Sequence, residues 1–508
     1  MIRNGAGREV PESIPGMPCL RPYTGDALRA PRTDVARAVP RREAKVLASL
    51  EEAFRRSEVR DGMTISFHHH LRDGDLVVNM ALDVLANMGI HDLVLAPSAL
   101  FPVHKDVLRH VRSGVVRAIQ GSVNGPVGRA ASEGLFDLPV ILRSHGGRVR
   151  AMQTGELQVD IAVIAAPTAD SMGNISGVFG PSACGSLGYA FSDAQYARRV
   201  IAVTDTLIEY PAAPFSIPQT LVDWVVPVER IGDPGRIVSG TLRVTRDPLR
   251  LIIAEQAARV IEQSGVFVDG FSMQAGAGGI SLAASAFIRE RMRRAGIQGG
   301  FISGGITEQS VEMLEEGLFH SLLDVQSFDG AAVASLARNS SHMEMSASFY
   351  ANTAAKGCVV ERLDTAVLGA TQVDTNFNVN VNTESDGVLL HGIGGHMDTA
   401  AGARLTVIVT PLLRGRMPMV VDRAITVTTP GDTVDVVVTE RGVAVNPRRN
   451  DLVENLKGKG IPLVDIHDLK KLAEEMTGVP RLPRFGGKII GVVEYRDGSV
   501  IDVIYQRR

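Results

Sequence analysis

Six consecutive apolar residues, Ile161-Ala-Val-Ile-Ala-Ala166, constrain this chain more than any other feature. A strand with one wet face alternates apolar and polar side chains, whereas a strand covered on both faces reads as an unbroken apolar run, the pattern of parallel sheets flanked by helices. Val200 to Thr204 reads the same way, and Asp92 to Ala96 reads as a further strand. Between such runs, Val46, Leu47, Leu50 and Phe54 recur at helical spacing, and Val77 to Met88 forms an apolar helical stretch. The Asp61-Gly62 turn leads into a strand over Met63 to Phe67. Helix and strand therefore alternate, which predicts an α/β fold with mainly parallel sheets.

At 508 residues the chain exceeds one comfortable core, and two large α/β domains fit it. Residues 1 to 44 are rich in Pro, Gly and Arg without periodicity and read as an irregular arm. A junction falls near 231 to 250, where I-G-D-P-G-R and T-R-D-P-L-R combine Gly, Pro and charge. This gives a first domain over 45–240 and a second over 241–508. In the second, the pattern predicts a helix over Leu249 to Ser264, a strand over Val266 to Val268, a helix over Ile280 to Ala295 and a strand over Gly300 to Ser303. A faint echo pairs Val159-Asp160 and its acidic turn with Val373-Asp374 and its own, compatible with a duplication and equally with chance.

A net charge of -3 offers no footprint for nucleic acid or an anionic membrane. Cys19, Cys184 and Cys358 lie far apart, so neither a disulfide framework nor a thiolate metal site has support. The N-terminus lacks an apolar signal core and no stretch is long enough to span a bilayer, from which we expect a cytoplasmic protein. There is no G-x-S-x-G elbow and no H-E-x-x-H helix, which sets aside standard hydrolase and metalloprotease chemistry.

Four segments can carry chemistry. Gln274-Ala-Gly276-Ala-Gly278-Gly279 sits between strand and helix, either as a turn or as a loop whose amides hold an anion; it lacks the G-x-G-x-x-G spacing and the Walker lysine. Phe67-His68-His69-His70-Leu71-Arg72 ends the first strand, and alternation puts His68 and His70 on one face and His69 on the other. One metal cannot readily bind all three, so anion recognition or a solvated strand end remains. Ser144-His145-Gly146-Gly147-Arg148 can present amides and cations to a carboxylate, or simply turn. Asn376, Asn378, Asn380 and Asn382 alternate as if lining one face of a strand, ahead of the glycine-rich segment containing Gly394-Gly395.

At these segments the chain resembles the citrate lyase alpha subunit family, within the CoA-transferase group. The motifs are I-S-F-H-H-H at 65–70, H-G-G-R at 145–148, A-A-P-T-A-D-S-M-G-N-I-S-G at 165–177, Q-A-G-A-G-G-I at 274–280, H-M-E-M-S-A-S-F-Y-A-N at 342–352 and H-G-I-G-G-H-M-D-T at 391–399, in order from about Lys45 onward. The resemblance implies two related α/β domains of the CoA-transferase type. It implies an acyl transferase working on an acyl carrier protein: acetyl-carrier plus citrate gives citryl-carrier plus acetate.

Implied partners are the carrier (gamma) subunit and a citryl-cleaving lyase (beta) subunit, with homo-oligomers inside the complex. No tightly bound cofactor and no metal are expected; the chain acts on the carrier's phosphoribosyl-dephospho-CoA arm and accepts acetyl-CoA as an analogue. Gly276, Gly278, Gly279, Gly304 and Gly305 are the residues assigned to that arm, and His68, His70, Arg72, His145 and Arg148 those assigned to the acid substrate. Covalent CoA-transferases use a glutamate in a segment like E-V-D-L-x-G; aligning its glycine with Gly387 puts Asn382 at that position. An amide forms no acyl-enzyme, so the expectation is direct exchange through a mixed anhydride, with Asn382, Gly394 and Gly395 catalytic. The alternatives are a free-CoA transferase or acyl-CoA hydrolase using Glu384, a non-catalytic ligand sensor, and citramalate in place of citrate.

Overall fold

The computed structural model describes residues 2–3, 9–10, 44–238, 244–481 and 483–507. It contains two compact units, Met1–Arg37 and Ala38–Arg508. In the first, Ile2–Arg3 pairs antiparallel with Glu9–Val10. The rest of the predicted arm up to residue 43, Cys19 included, lies outside the described residues.

The larger unit is built on two sheets. In the first, Trp224–Pro227, Arg199–Thr204, Ile161–Ala166, Thr64–Phe67, Leu93–Pro97 and Val116–Ile119 lie side by side, all parallel. In the second the order is Val436–Thr439, Leu405–Val409, Thr365–Gly369, Met273–Ala275, Gly299–Ile306, Phe319–Ser327 and His342–Glu344, with Gly442–Val445 added antiparallel at one edge. Ile161–Ala166 is buried at every position, as its unbroken apolar run requires, and so is Leu405–Val409, with Thr406 its one polar residue.

The six strands of the first sheet find their order repeated in the second, which adds His342–Glu344 and Gly442–Val445, and details of hydrogen bonding repeat. Asp170 accepts from the N–H groups of Met172 (2.9 Å), Asn174 (3.1 Å) and Ala212 (2.9 Å) and from the Asn174 amide (2.7 Å). Asp374 accepts from Asn376 (2.9 Å), Asn378 (3.0 Å), Ala424 (3.4 Å) and the Asn378 amide (3.1 Å). Asp160 binds the Thr64 N–H as Asp364 binds that of Ser272, each at 2.9 Å. The echo read from the sequence therefore matched the wrong residues: Asp160 corresponds to Asp364, and it is Asp170 that corresponds to Asp374.

Three expectations give way to the structure. Val266–Val268 is no strand; the chain turns there and extends only at Met273–Ala275. The first helix spans Leu50–Arg56, capped by Ser49, because Val46 bridges to Val225 in extended form. The asparagine ladder is mostly a turn around Asp374 with Phe377 at φ 65°, leaving only Val379–Asn380 as strand. Asp374 offers its carboxylate to the amides of residues 376 and 378, and such side-chain capping outcompetes the ladder.

The C-terminal hairpin, Phe485–Glu494 with Val500–Arg507, returns to the first half, pairing parallel with Val140–Leu142 and packing Ile490, Val493 and Ile504 into its core. Cys184 and Cys358 are buried and unbridged. Among the described residues no helix is long and apolar enough to cross a membrane.

Candidate functional site

The carboxyl ends of the two sets of parallel strands meet, and in such sheets ligands bind beyond those ends. In the first half, Thr64–Phe67 runs into the three histidines, and Val140–Leu142 leads through Ser144 to a helix over His145–Gln153. The His69 ring stacks on Tyr189 at 4.5 Å and on His145 at 5.4 Å, while His145 meets Tyr189 at 4.4 Å. The Ser98 hydroxyl, 2.7 Å from Nδ1, fixes the His69 ring.

His68 and His70 point the other way, as alternation requires, and stack on each other at 4.8 Å. His68 Nδ1 lies 3.1 Å from Asp193, and His70 Nε2 lies 2.6 Å from the Ala165 carbonyl. Arg148 donates to both Asp193 oxygens, at 2.7 and 3.1 Å, and to the Ala96 carbonyl at 2.7 Å. Burial pushes the Asp193 carboxyl up, but the Arg148 guanidinium and the His68 contact outweigh it and hold it below its ordinary value. All four side chains are buried, and this cluster braces the strand end that carries His69.

The second half closes the circuit. Arg72, in a left-handed conformation at φ 53°, extends over the Phe328 ring at 5.0 Å. Phe328 packs on Gly305, and Gly304 packs on the Gln274 amide. Gln274 donates to the Tyr350 hydroxyl (2.7 Å) and accepts from Ser303 (3.0 Å). A side chain at Gly395 would collide with that tyrosine hydroxyl, and one at Gly394 would lie 3.9 Å from His145 Nε2. The Gln326 amide donates to the His69 carbonyl at 3.2 Å. Sequence positions hundreds of residues apart are thus brought to one place.

Burial sets the electrostatics. It holds His145 down to about 3, with Arg148 adding to the effect, and holds His69 well below its ordinary value, with His145 adding. Both imidazoles are therefore neutral near pH 7 and act through hydrogen bonds, not charge. Burial likewise raises the Tyr189 hydroxyl well above its usual range. Among the described residues no group of histidines, cysteines and carboxylates is arranged to hold a metal.

The family model for the citrate lyase alpha subunit matches residues 43–507. The chain belongs to the citrate lyase alpha subunit family. The citrate lyase alpha chain of Klebsiella pneumoniae is 49% identical over 488 residues, 96% of each chain. That of Escherichia coli strain K12 is 50% identical over 466 residues, 92% of this chain and 91% of its relative. A citrate-bound structure of a citrate lyase alpha subunit from Streptococcus mutans superposes with a TM-score of 0.92 at 48% identity, covering 94% and 95% of the two chains. The alpha subunit of malonate decarboxylase from Acinetobacter baumannii, at 17% identity and a TM-score of 0.62, covering 86% and 93%, shares the fold. As a citrate lyase alpha subunit, the chain is a transferase component of an enzyme assembled with other subunits.

In this family member Asn382 is fully buried. Its amide donates to the His391 carbonyl (3.0 Å) and accepts from the Thr428 hydroxyl (2.7 Å), bracing the segment that leads to Gly394-Gly395. Glu384 stands exposed on a turn in which its N–H donates to Val388 (2.8 Å) and its carbonyl accepts from Gly387 (3.0 Å). Gly278 precedes a helix over Gly279–Ala295 with no side-chain cap; the Ser281 hydroxyl, buried and without a partner, lies 3.7 to 3.9 Å from where side chains at Gly276 and Gly278 would begin. The sequence reading names His68 and His70 but not His69 as site residues, and leaves Gln274 and Tyr350 inside their motifs without a role; Tyr189 sits in a helix over Gly188–Tyr196 with no motif around it.

Proposed function

We propose that this cleft exchanges acetyl for citryl on the thiol of an acyl carrier protein, so that acetyl-carrier plus citrate becomes citryl-carrier plus acetate. A citrate carboxylate oxygen attacks the acetyl thioester carbonyl, the C–S bond breaks and the carrier thiolate leaves. That thiolate then attacks the citryl carbonyl of the mixed anhydride, and acetate departs with the bridging oxygen. No enzyme nucleophile enters the balance.

One observation carries this reading: the carboxylates around the cleft are engaged within the protein. Asp193 binds Arg148, Asp398 binds Ser144, Asp324 binds Ser327 and Glu344 binds the Leu187 N–H, all four deep in the fold. The side chains gathered beside the backbone of Gly394 are neutral: His145, whose N–H donates to the Gly394 carbonyl, with His69 and Tyr189 stacked against it. Preorganised neutral donors suit two successive oxyanions, and holding both reactants in line contributes about as much. Arg72 meets the negative charge of citrate at the rim, while His68, His70 and Arg148 act by supporting His69. Asn382 acts by bracing the glycine segment.

The loop of Gly276, Gly278 and Gly279 takes a phosphate of the carrier's phosphoribosyl-dephospho-CoA arm, or of acetyl-CoA as an analogue; its exposed helix amides and the Ser281 hydroxyl support this role. Gly304 and Gly305, packed on Gln274 and Phe328, shape the wall beside it. The carrier (gamma) subunit and a citryl-cleaving (beta) subunit are the partners this chemistry calls for.

The test is to incubate the chain with acetyl-carrier and either citrate or citramalate and follow the mass of the carrier. Citryl-carrier formation with release of acetate is expected. Failure to form it with citrate, or an adduct trapped by hydroxylamine on Glu384, would overturn the reading.

A further inference from the structure

One carboxylate ties the two halves together at the cleft without lining it. Asp398 lies in the first turn of a helix over His396–Gly402 and is fully buried. Its Oδ1 accepts from the Ser144 hydroxyl (2.8 Å) and its Oδ2 from the Gly146 N–H (3.0 Å). Ser144 Oγ in turn accepts from the Gly147 N–H (2.9 Å), and the His145 N–H donates to the Gly394 carbonyl (2.9 Å). The opening amides of the His145–Gln153 helix are therefore held by a carboxylate and a carbonyl from the other half and by their own cap. An anion at a helix N-terminus is also favoured by the helix dipole. A side chain at Gly146 would collide with the Ala351 carbonyl, so the start of this helix is wedged between Asp398 and the second half. The amides that the sequence offered to a substrate carboxylate are occupied by the protein's own.

We infer that Asp398 is a positioning residue, which through Gly146 and Ser144 holds the His145 imidazole against Gly394 so that both face one reacting carbonyl. The inference rests on acyl exchange taking place beside His145.

The groups around Asp398 make its ionisation readable. Arg496 Nε, on the turn of the C-terminal hairpin, stands 4.0 Å away, and Tyr495, Tyr350 and Tyr189 feel its charge from the same turn, the Ala347–Ala351 helix and the Gly188–Tyr196 helix. His145 is held down to about 3 and its own helix's His396 to about 4, while the three tyrosines are raised. Burial pushes the Asp398 carboxyl up to about 6, against the bonds from Gly146 and Ser144 and the charge of Arg496. Protonation removes the negative charge from the helix terminus and converts an acceptor oxygen into a donor. The ionised form is the positioning form, so kcat falls as pH drops through about 6. Glu344, raised to about 7 by burial, bonds Leu187, Ser216 and Ser186 instead.

The experiment measures kcat and the citrate KM for exchange with acetyl-carrier across the pH range, for the parent chain and for Asp398→Asn, Asp398→Glu and Ser144→Ala. Expected for Asp398→Asn is a kcat lower by about tenfold or more with the citrate KM within about threefold, and no acid limb near pH 6. Asp398→Glu restores part of kcat. Ser144→Ala removes one bond to the ionised carboxylate and shifts the limb to higher pH, which keeps the inference testable if Asp398→Asn fails to fold. A kcat for Asp398→Asn within about twofold of the parent, or a limb that persists in it or stays unmoved in Ser144→Ala, overturns the inference. If those results come with an inactive His145→Ala, the acyl-exchange reading survives; a fully active His145→Ala sinks both.

Discussion

The two halves of the large unit use one scaffold for opposite ends. Both order their strands alike and both tie a turn with an aspartate that collects four N–H donors, Asp170 in one and Asp374 in the other. They diverge where the parallel strands end. The first half places ring side chains there, His69, His145 and Tyr189; the second places backbone, Gly276 to Gly279, Gly304-Gly305 and Gly394-Gly395. A repeated scaffold therefore keeps what holds the chain and varies what meets the ligand. The result is a cleft with directional imidazoles on one wall and close-approach amides on the other, joined by Asp398 reaching across to Gly146.

Equivalence of the scaffolds is the first thing to break. Asp170→Ala and Asp374→Ala each strand several buried donors, and each should lower stability by about 3 kcal/mol in denaturant unfolding. A large loss in one and none in the other would mean the two turns only look alike. The divergence is sharpened next: His145→Ala should cut exchange by about a hundredfold or more while melting near the parent temperature, since it removes a preorganised donor. On the opposite wall, Gly395→Ala forces a methyl into the Tyr350 hydroxyl and should cost about tenfold in kcat, partly restored by adding Tyr350→Phe. Absence of any rescue would show that the glycine serves something other than this packing. Smallest is Glu384→Gln, on its exposed turn, with exchange expected within about twofold of the parent.

Much of this was legible in the chain. Ile161–Ala166 announces a doubly covered strand because no polar residue interrupts it on either face. Pleating likewise separates His69 from His68 and His70. Which of those faces opens on a cleft was not legible, since it depends on Asp193 and Arg148 closing over His68 from far along the sequence. The asparagine run misled because its periodicity is that of a strand while Asp374 competes for the same amides as a turn. Tyr189 left no signal at all, and Gln274 stood in a motif whose partner Tyr350 shows only through tertiary packing. Asp398 stood inside a motif, yet its partners Ser144 and Gly146 are visible only once the halves are apposed.

The central claim is that citrate meets the acetyl thioester directly. It is tested by a single turnover with the chain in excess over acetyl-carrier, using citrate carrying heavy oxygen in its carboxylates, and by the mass of the acetate released. Direct exchange predicts that first-turnover acetate carries one citrate oxygen, the bridging atom of the mixed anhydride. Unlabelled acetate in the first turnover, with the label appearing on a carboxylate of the protein, would contradict it.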